Sequence, residues 1–86
     1  MNKPTKISDS QATALSETVT EITRSHLNSL GDEDATNLYR QIIDQVEKPL
    51  LEVMMERTHG NQSRAAICLG INRATLRSKL KRHGLM

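Results

Sequence analysis

The chain has 86 residues, a mass of 9.6 kDa and a formal net charge of +2. A polypeptide this short buries only about 60–65% of the surface its unfolded form exposes, so a lone chain is marginal and a dimer is expected. Phe and Trp are absent and Tyr39 is the only aromatic residue, which argues against an aromatic-walled ligand pocket and a base-stacking platform. The single cysteine, Cys68, excludes an internal disulfide framework and a multi-Cys zinc site and fits a reducing, cytoplasmic setting. No cofactor is expected.

Residues 1–13 are polar, contain Pro4 and lack a sustained period; they read as a flexible N-terminal arm. Lys3 and Lys6 are followed by polar residues, so no signal peptide is expected. The longest apolar run, Ala65 to Leu69, is far short of the ~20 residues that span a bilayer, so no membrane association is expected.

From Ala14 to Leu30 a helical stripe runs through Leu15, Val19, Ile22, His26 and Leu30, at spacings that keep one apolar face. Thr13 is the expected N-cap, Glu17 favours the positive end of the helix dipole, and Gly31 ends the helix. His26 reads as a partly buried packing residue. Asp32-Glu33-Asp34 form an acidic connector that lacks the alternating ligands and central glycine of a calcium loop.

A second, longer helix is expected from about Asn37 to Thr58, capped by Thr36. Leu38, Tyr39, Ile42, Ile43, Val46, Leu50, Val53 and Met54 cover its wide apolar face, while Leu51 and Met55 lie off it. A helix apolar on more than one side sits between several neighbours. Pro49 falls inside the pattern and should kink the helix, but the stripe keeps its phase across it. Residues 14–58 therefore read as a dimerisation region. With the first helix, Leu15, Val19 and Ile22 are its expected contribution to the dimer core.

His59-Gly60 breaks this helix. Asn61 caps a short helix from Gln62 to Leu69, Gly70 turns the chain, and Asn72 or Arg73 opens a last helix to about Arg82, ended by Gly84. The expected fold class is all-α, with four helices per chain. Cys68, mid-helix between Ile67 and Leu69, reads as a small buried hydrophobe.

The charge is divided along the chain. Residues 1–56 hold all ten Asp/Glu and five Lys/Arg, whereas residues 57–86 hold seven Lys/Arg and no acid. Such asymmetry suits a nucleic-acid-facing end; a merely solvated basic surface has the same composition.

The segment Gln62–Leu80 meets the demands of a helix-turn-helix. Ala65 and Ala66 are small where a second helix would cross. Gly70 tolerates a positive φ in the turn, Ile71 anchors the turn, and Leu76 and Leu80 form an inner seam at i, i+4. Arg73, Thr75, Arg77, Lys79, Lys81 and Arg82 remain for the outer face. Arg can clamp guanine, and Asn adenine, through paired hydrogen bonds. Asn72 and Arg73 stand at the helix end that enters the major groove in this motif. Asn61, Ser63 and Arg64 stand at the first helix's N-terminus, where free N–H groups suit a phosphate. Taken alone, Asn61 and Asn72 each read as a cap first; the acid-free segment, its seven bases and the Gly turn between two short helices shift the balance toward DNA.

The stretch PLLEVMMERTHGNQSRAAICLGINRATLRSKLKRHGLM, preceded by NLYRQIIDQVEK, closely resembles the C-terminal part of the Fis (factor for inversion stimulation) family. The likeness covers roughly residues 14–86, with GNQSRAA and GINRATLR the most specific blocks. Similar blocks close the DNA-binding domains of nitrogen-regulation-type response regulators.

The resemblance implies a bacterial, nucleoid-associated transcription regulator in the cytoplasm. Its first two helices interlock in an intertwined homodimer core. Residues 59–86 form the DNA-binding module, which bends double-stranded DNA at degenerate sites with an A/T-rich centre. Base contacts fall on Asn72, Arg73 and Thr75, and backbone contacts on Asn61, Ser63, Arg77, Lys79, Lys81 and Arg82. RNA polymerase and other regulators are partners of the kind such a protein would meet. Ser78 departs from the family pattern, which has lysine there. The family can also carry a β-hairpin arm that touches DNA invertases, and residues 1–13 show no hairpin signal.

Two other classes compete. An enzyme would need a constellation, yet no HExxH, GxSxG or P-loop occurs and His26, His59 and His83 are scattered over different elements. A helical protein-interaction module, an adaptor without DNA bending, would use the same amphipathic helices but would not need an acid-free C-terminus.

Overall fold

The computed structural model describes residues 6–86, which hold four α-helices and no strand. They are α1 (Asp9–Leu30), α2 (Leu38–Arg57), α3 (Gln62–Leu69) and α4 (Arg73–Arg82), giving the all-α fold expected. The chain divides into two units, Met1–Leu38 and Tyr39–Met86.

The first unit is built on α1, which starts earlier than its apolar stripe does. Ser8 is the N-cap, not Thr13. Its hydroxyl accepts from the Gln11 N–H at 3.1 Å, and Gln11 Oε1 accepts from the Ser8 N–H at 3.0 Å. This reciprocal pair satisfies two otherwise orphaned donors and fixes the helix start. Residues 9–13, expected within the arm, are therefore helical; residues 1–5 of that arm lie outside the described residues. Glu17 falls within the third turn, and Asp9 takes the first-turn acidic position. No residue of α1 is buried. Leu15 and Ile22 are about half exposed, while Val19, His26 and Leu30 are of intermediate burial.

The second unit comprises α2, α3 and α4, so the boundary expected after Thr58 falls inside it. The backbone enters α2 through Asn37 at φ 54, a left-handed conformation that Asn tolerates. The helix runs through Pro49 as one element. Its end is a Schellman turn: the Gly60 N–H reaches Met55 O at 2.9 Å and the His59 N–H reaches Glu56 O at 3.2 Å.

The core of this unit is Leu51, Ala65, Ala66, Leu76 and Leu80, with Met54, Met55, Leu69, Ile71 and Leu85 packed against it. Leu51 and Met55, the residues off the main stripe of α2, are thus the ones that seat α3 and α4. Met54, expected in the dimer core, also joins this cluster. α3 turns Ala65, Ala66 and Leu69 inward, which leaves Ile67 and Cys68 on the opposite side. Cys68 is exposed, not buried, and Ile67 is 80% exposed.

The rest of the α2 stripe is open in the single chain. Tyr39, Leu50 and Val53 are 79%, 52% and 64% exposed. Val46 is exposed, and Leu38, Ile42 and Ile43 are half-buried. Among the described residues, no helix is long and apolar enough to cross a membrane.

Candidate nucleic-acid interface

Two caps and one turn set the geometry of α3 and α4. Asn61 Oδ1 accepts from the Arg64 N–H at 3.0 Å, and Asn72 Oδ1 accepts from the Ala74 N–H at 2.7 Å. Between the helices, Gly70 adopts φ 71, ψ 30, a left-handed conformation that a side chain would strain. Its N–H reaches Ile67 O, and the Ile71 N–H reaches Ala66 O, both at 3.1 Å. With Ile71 pinned over the core, the crossing of α3 and α4 is fixed by backbone hydrogen bonds as well as by packing.

Leu76 and Leu80 are fully buried, so α4 has one inner edge and must present the rest of its circumference outward. Asn72, Arg73, Thr75, Arg77, Ser78 and Lys81 are exposed, as are Asn61, Ser63 and Arg64 on α3. Ala74, Thr75, Ser78, Lys79 and Arg82 line a shallow groove along α4. Ser78, the departure from an expected lysine, sits in this groove. Both cap readings hold for Asn61 and Asn72. A paired contact from Asn72 to adenine would have to share the oxygen that caps α4, whereas its amide NH2 stays available as a donor.

Lys79 and Arg82, expected on DNA phosphates, are tied to α2. Lys79 Nζ lies 2.8 Å from Glu47 Oε2. Arg82 pairs with Asp44 and also approaches Glu47 Oε1 at 3.8 Å. His83, the residue after α4, places Nε2 2.8 Å from the same Glu47 oxygen. The Glu47 side chain is only 14% exposed and that of His83 only 7%. The Lys79 hydrogen bond above all, then the His83 hydrogen bond and the charges of both, hold the Glu47 carboxyl below its ordinary value, against the opposing effect of burial. By contrast, Arg57, Arg64, Arg73, Arg77 and Lys81 make no ion pair among the described residues.

Sequence reading missed this cluster, although a signal existed. Asp44 and Glu47 are i, i+3 on one face of α2, and they face the acid-free segment across the core. His83 is thus not an isolated histidine. Asp44, Glu47 and His83 also bring three potential metal-ligand atoms within 4.8 Å of one another, but Lys79 and Arg82 already occupy these carboxylates.

A three-helix core that fixes a short helix, a left-handed glycine turn and an outward-facing second helix defines a helix-turn-helix protein. A profile described as "Bacterial regulatory protein, Fis family" matches residues 42–83. "DNA-binding protein Fis" of Actinobacillus succinogenes is 46% identical over 80 residues, covering 91% of this chain and 81% of that protein. The proteins of the same name from Glaesserella parasuis and Aeromonas hydrophila are 46% and 45% identical over 71 residues, covering 83% of this chain and 72% of each relative. The chain belongs to the Fis family.

Proposed function

We propose that this chain is a homodimeric, DNA-binding and DNA-bending transcription regulator of the bacterial nucleoid, working in the cytoplasm. The observation that carries the reading is the row of exposed polar side chains, Asn72, Arg73 and Thr75, at the N-terminal end of a helix whose opposite edge is locked into the core. That end enters the major groove in helix-turn-helix proteins, and an unpaired Arg73 supplies the two-pronged donor that guanine accepts. Asn61, Ser63, Arg64, Arg77 and Lys81 are suited to the flanking phosphates. The relatives' name, DNA-binding protein Fis, supports the same class of ligand.

Dimerisation follows from the open stripe of α2. Half-exposed Leu50 and largely exposed Tyr39 and Val53 on one helix form an apolar face that a second copy would cover. Only two residues, Thr58 and His59, separate α2 from the Gly60-Asn61 entry into α3. Each reading head is therefore fixed to the dimer core, with no linker to adjust its reach. If the two heads stand closer than the ~34 Å repeat of straight DNA, the duplex must bend to meet both. A smooth bend of 40–90° costs about 1–6 kcal/mol, least at deformable sequences, so an A/T-rich centre is favoured without being touched. RNA polymerase and other regulators are the partners such a bound dimer would meet.

Fluorescence-anisotropy titration with a duplex, paired with end-label FRET, tests the reading. Binding with shortened end-to-end distance is expected. Absence of duplex binding refutes it, and binding to unbent DNA removes the bending while leaving recognition in place.

A further inference from the structure

We propose that Glu47, assisted by Asp44, competes with the DNA backbone for cations of its own chain: it holds Lys79 and Arg82 away from phosphate and so limits how strongly the protein binds duplexes of any sequence. The inference rests on the DNA-binding reading and adds to it a part played by α2, which carries no residue assigned to DNA.

The geometry is a clamp across two helices. Both Glu47 oxygens are engaged, one by Lys79 and the other by His83, each at 2.8 Å, and Arg82 bridges Asp44 and Glu47. Lys79 and Arg82 are each about one-third exposed at the side chain, whereas Glu47 is mostly covered. A phosphate approaching this flank must take a cation from a sheltered carboxylate and leave that carboxylate short of a partner, which is unfavourable. The two carboxylates also repel the incoming anion. Among the described residues, Arg73, Arg77 and Lys81 on the same helix carry no such pairing.

The consequence separates two kinds of binding. Sequence-independent affinity comes from the number of phosphates neutralised, and its logarithm falls with the logarithm of salt by ~0.9 for each. Sequence preference comes from base-edge donors at the other end of α4. Withdrawing Lys79 and Arg82 lowers the phosphate contribution, which specific and unrelated duplexes share, and leaves the base-edge readout intact.

The test uses the full chain and two duplexes, one carrying the best site and one of unrelated sequence. Binding is measured from 50 to 200 mM salt, with folding checked by circular dichroism under the same conditions. Glu47→Gln is expected to steepen the salt slope on the unrelated duplex by about 1–2, so that affinity falls by about a further 3- to 4-fold per freed cation over that range. At 50 mM salt, affinity for both duplexes should rise together. Asp44→Asn, which frees Arg82 alone, should give about half the change and serves if Glu47→Gln does not fold. Adding Lys79→Gln to Glu47→Gln should return the slope about halfway to wild type, an outcome that mere loosening of α4 would not produce. Duplex binding with unchanged or shallower slopes in the folded variants overturns the restraint and leaves DNA binding standing. A wild-type chain that binds no duplex overturns both.

Discussion

Lys79 Nζ lies 2.8 Å from Glu47 Oε2, so a cation on the recognition helix is met first by a carboxylate of its own chain. The contact joins α4 to α2 in the flank beside the Leu51, Leu76 and Leu80 core. The ion pairs and the apolar seam therefore act on the same helix–helix orientation, one at the rim and the other at the centre.

This pairing sets a pH dependence. The Glu47 carboxyl is held below its ordinary value of 4.5, first by the Lys79 hydrogen bond. A carboxyl with a lowered folded-state pKa adds stability that is fully present above the unfolded value and is lost as pH falls through the folded one. The groups facing it are Lys79, Arg82 and His83 from α4 and its end, and Asp44 from α2. Glu47→Gln should cost roughly 1–2 kcal/mol at pH 7, between the ranges for exposed and buried pairs. Thermal melts of both proteins should converge as pH falls below the ordinary carboxyl value of 4.5. A gap in Tm that stays constant as pH falls would contradict the assignment.

The open stripe on α2 predicts a concentration-dependent fold. Leu50→Asp replaces a residue that is 52% exposed in the single chain. If the chain were monomeric, such a change would fall within about 0.5 kcal/mol of neutral. In a dimer it buries a charge, and sedimentation should shift from about twice the 9.6 kDa chain mass toward one chain, with a lower and concentration-dependent Tm. A wild-type protein that sediments as one chain at micromolar concentration would remove the dimer.

Arg73 and Lys81 should fail in different ways. Arg73→Ala is expected to cost ~1–3 kcal/mol on the best site and to flatten discrimination at one base pair. Lys81→Ala should weaken all sequences alike and lower the salt slope by about 1. Competition titrations against single-base variants distinguish the two. Intact preference after Arg73→Ala would reassign Arg73 to the phosphate backbone.

Ser78 offers a gain-of-charge test. It is exposed in the groove beside Thr75 and Arg82, at the position where the resemblance leads to an expected lysine. Ser78→Lys should raise affinity for specific and unrelated duplexes together and steepen the salt slope by about 1. An unchanged slope would place this part of α4 away from phosphate.

Much of the reading head was legible in the sequence because its determinants are local. Asn61 and Asn72 as caps, Gly70 as the left-handed turn, small Ala65 and Ala66 at the crossing, and Leu76 with Leu80 as the seam each act within a few residues. The bounds of α3 agree with the expectation to the residue. The start of α1 was legible too, in the Ser8-x-x-Gln11 capping box, but the apolar stripe from Leu15 drew the expected boundary to Thr13.

What the tertiary structure alone decided depends on which side chains meet across helices. Periodicity gave α2 an apolar surface wider than one face, and only packing split it: Leu51, Met54 and Met55 to the reading head, Tyr39, Leu50 and Val53 left open. Flanked by Ile67 and Leu69, Cys68 reads as buried, yet α3 turns it outward because its inner edge is already filled by Ala65, Ala66 and Leu69. Charge behaved the same way. Composition set an acidic first part against a basic second one, which fits a surface for an external anion. Asp44 and Glu47 lie 32 to 38 positions before the residues they pair with, Lys79, Arg82 and His83; their i, i+3 spacing places the two acids on one face, and only the fold shows which cations that face meets. Attraction between opposite charges acts through distance in space, and the fold of α2 against α4 sets that distance.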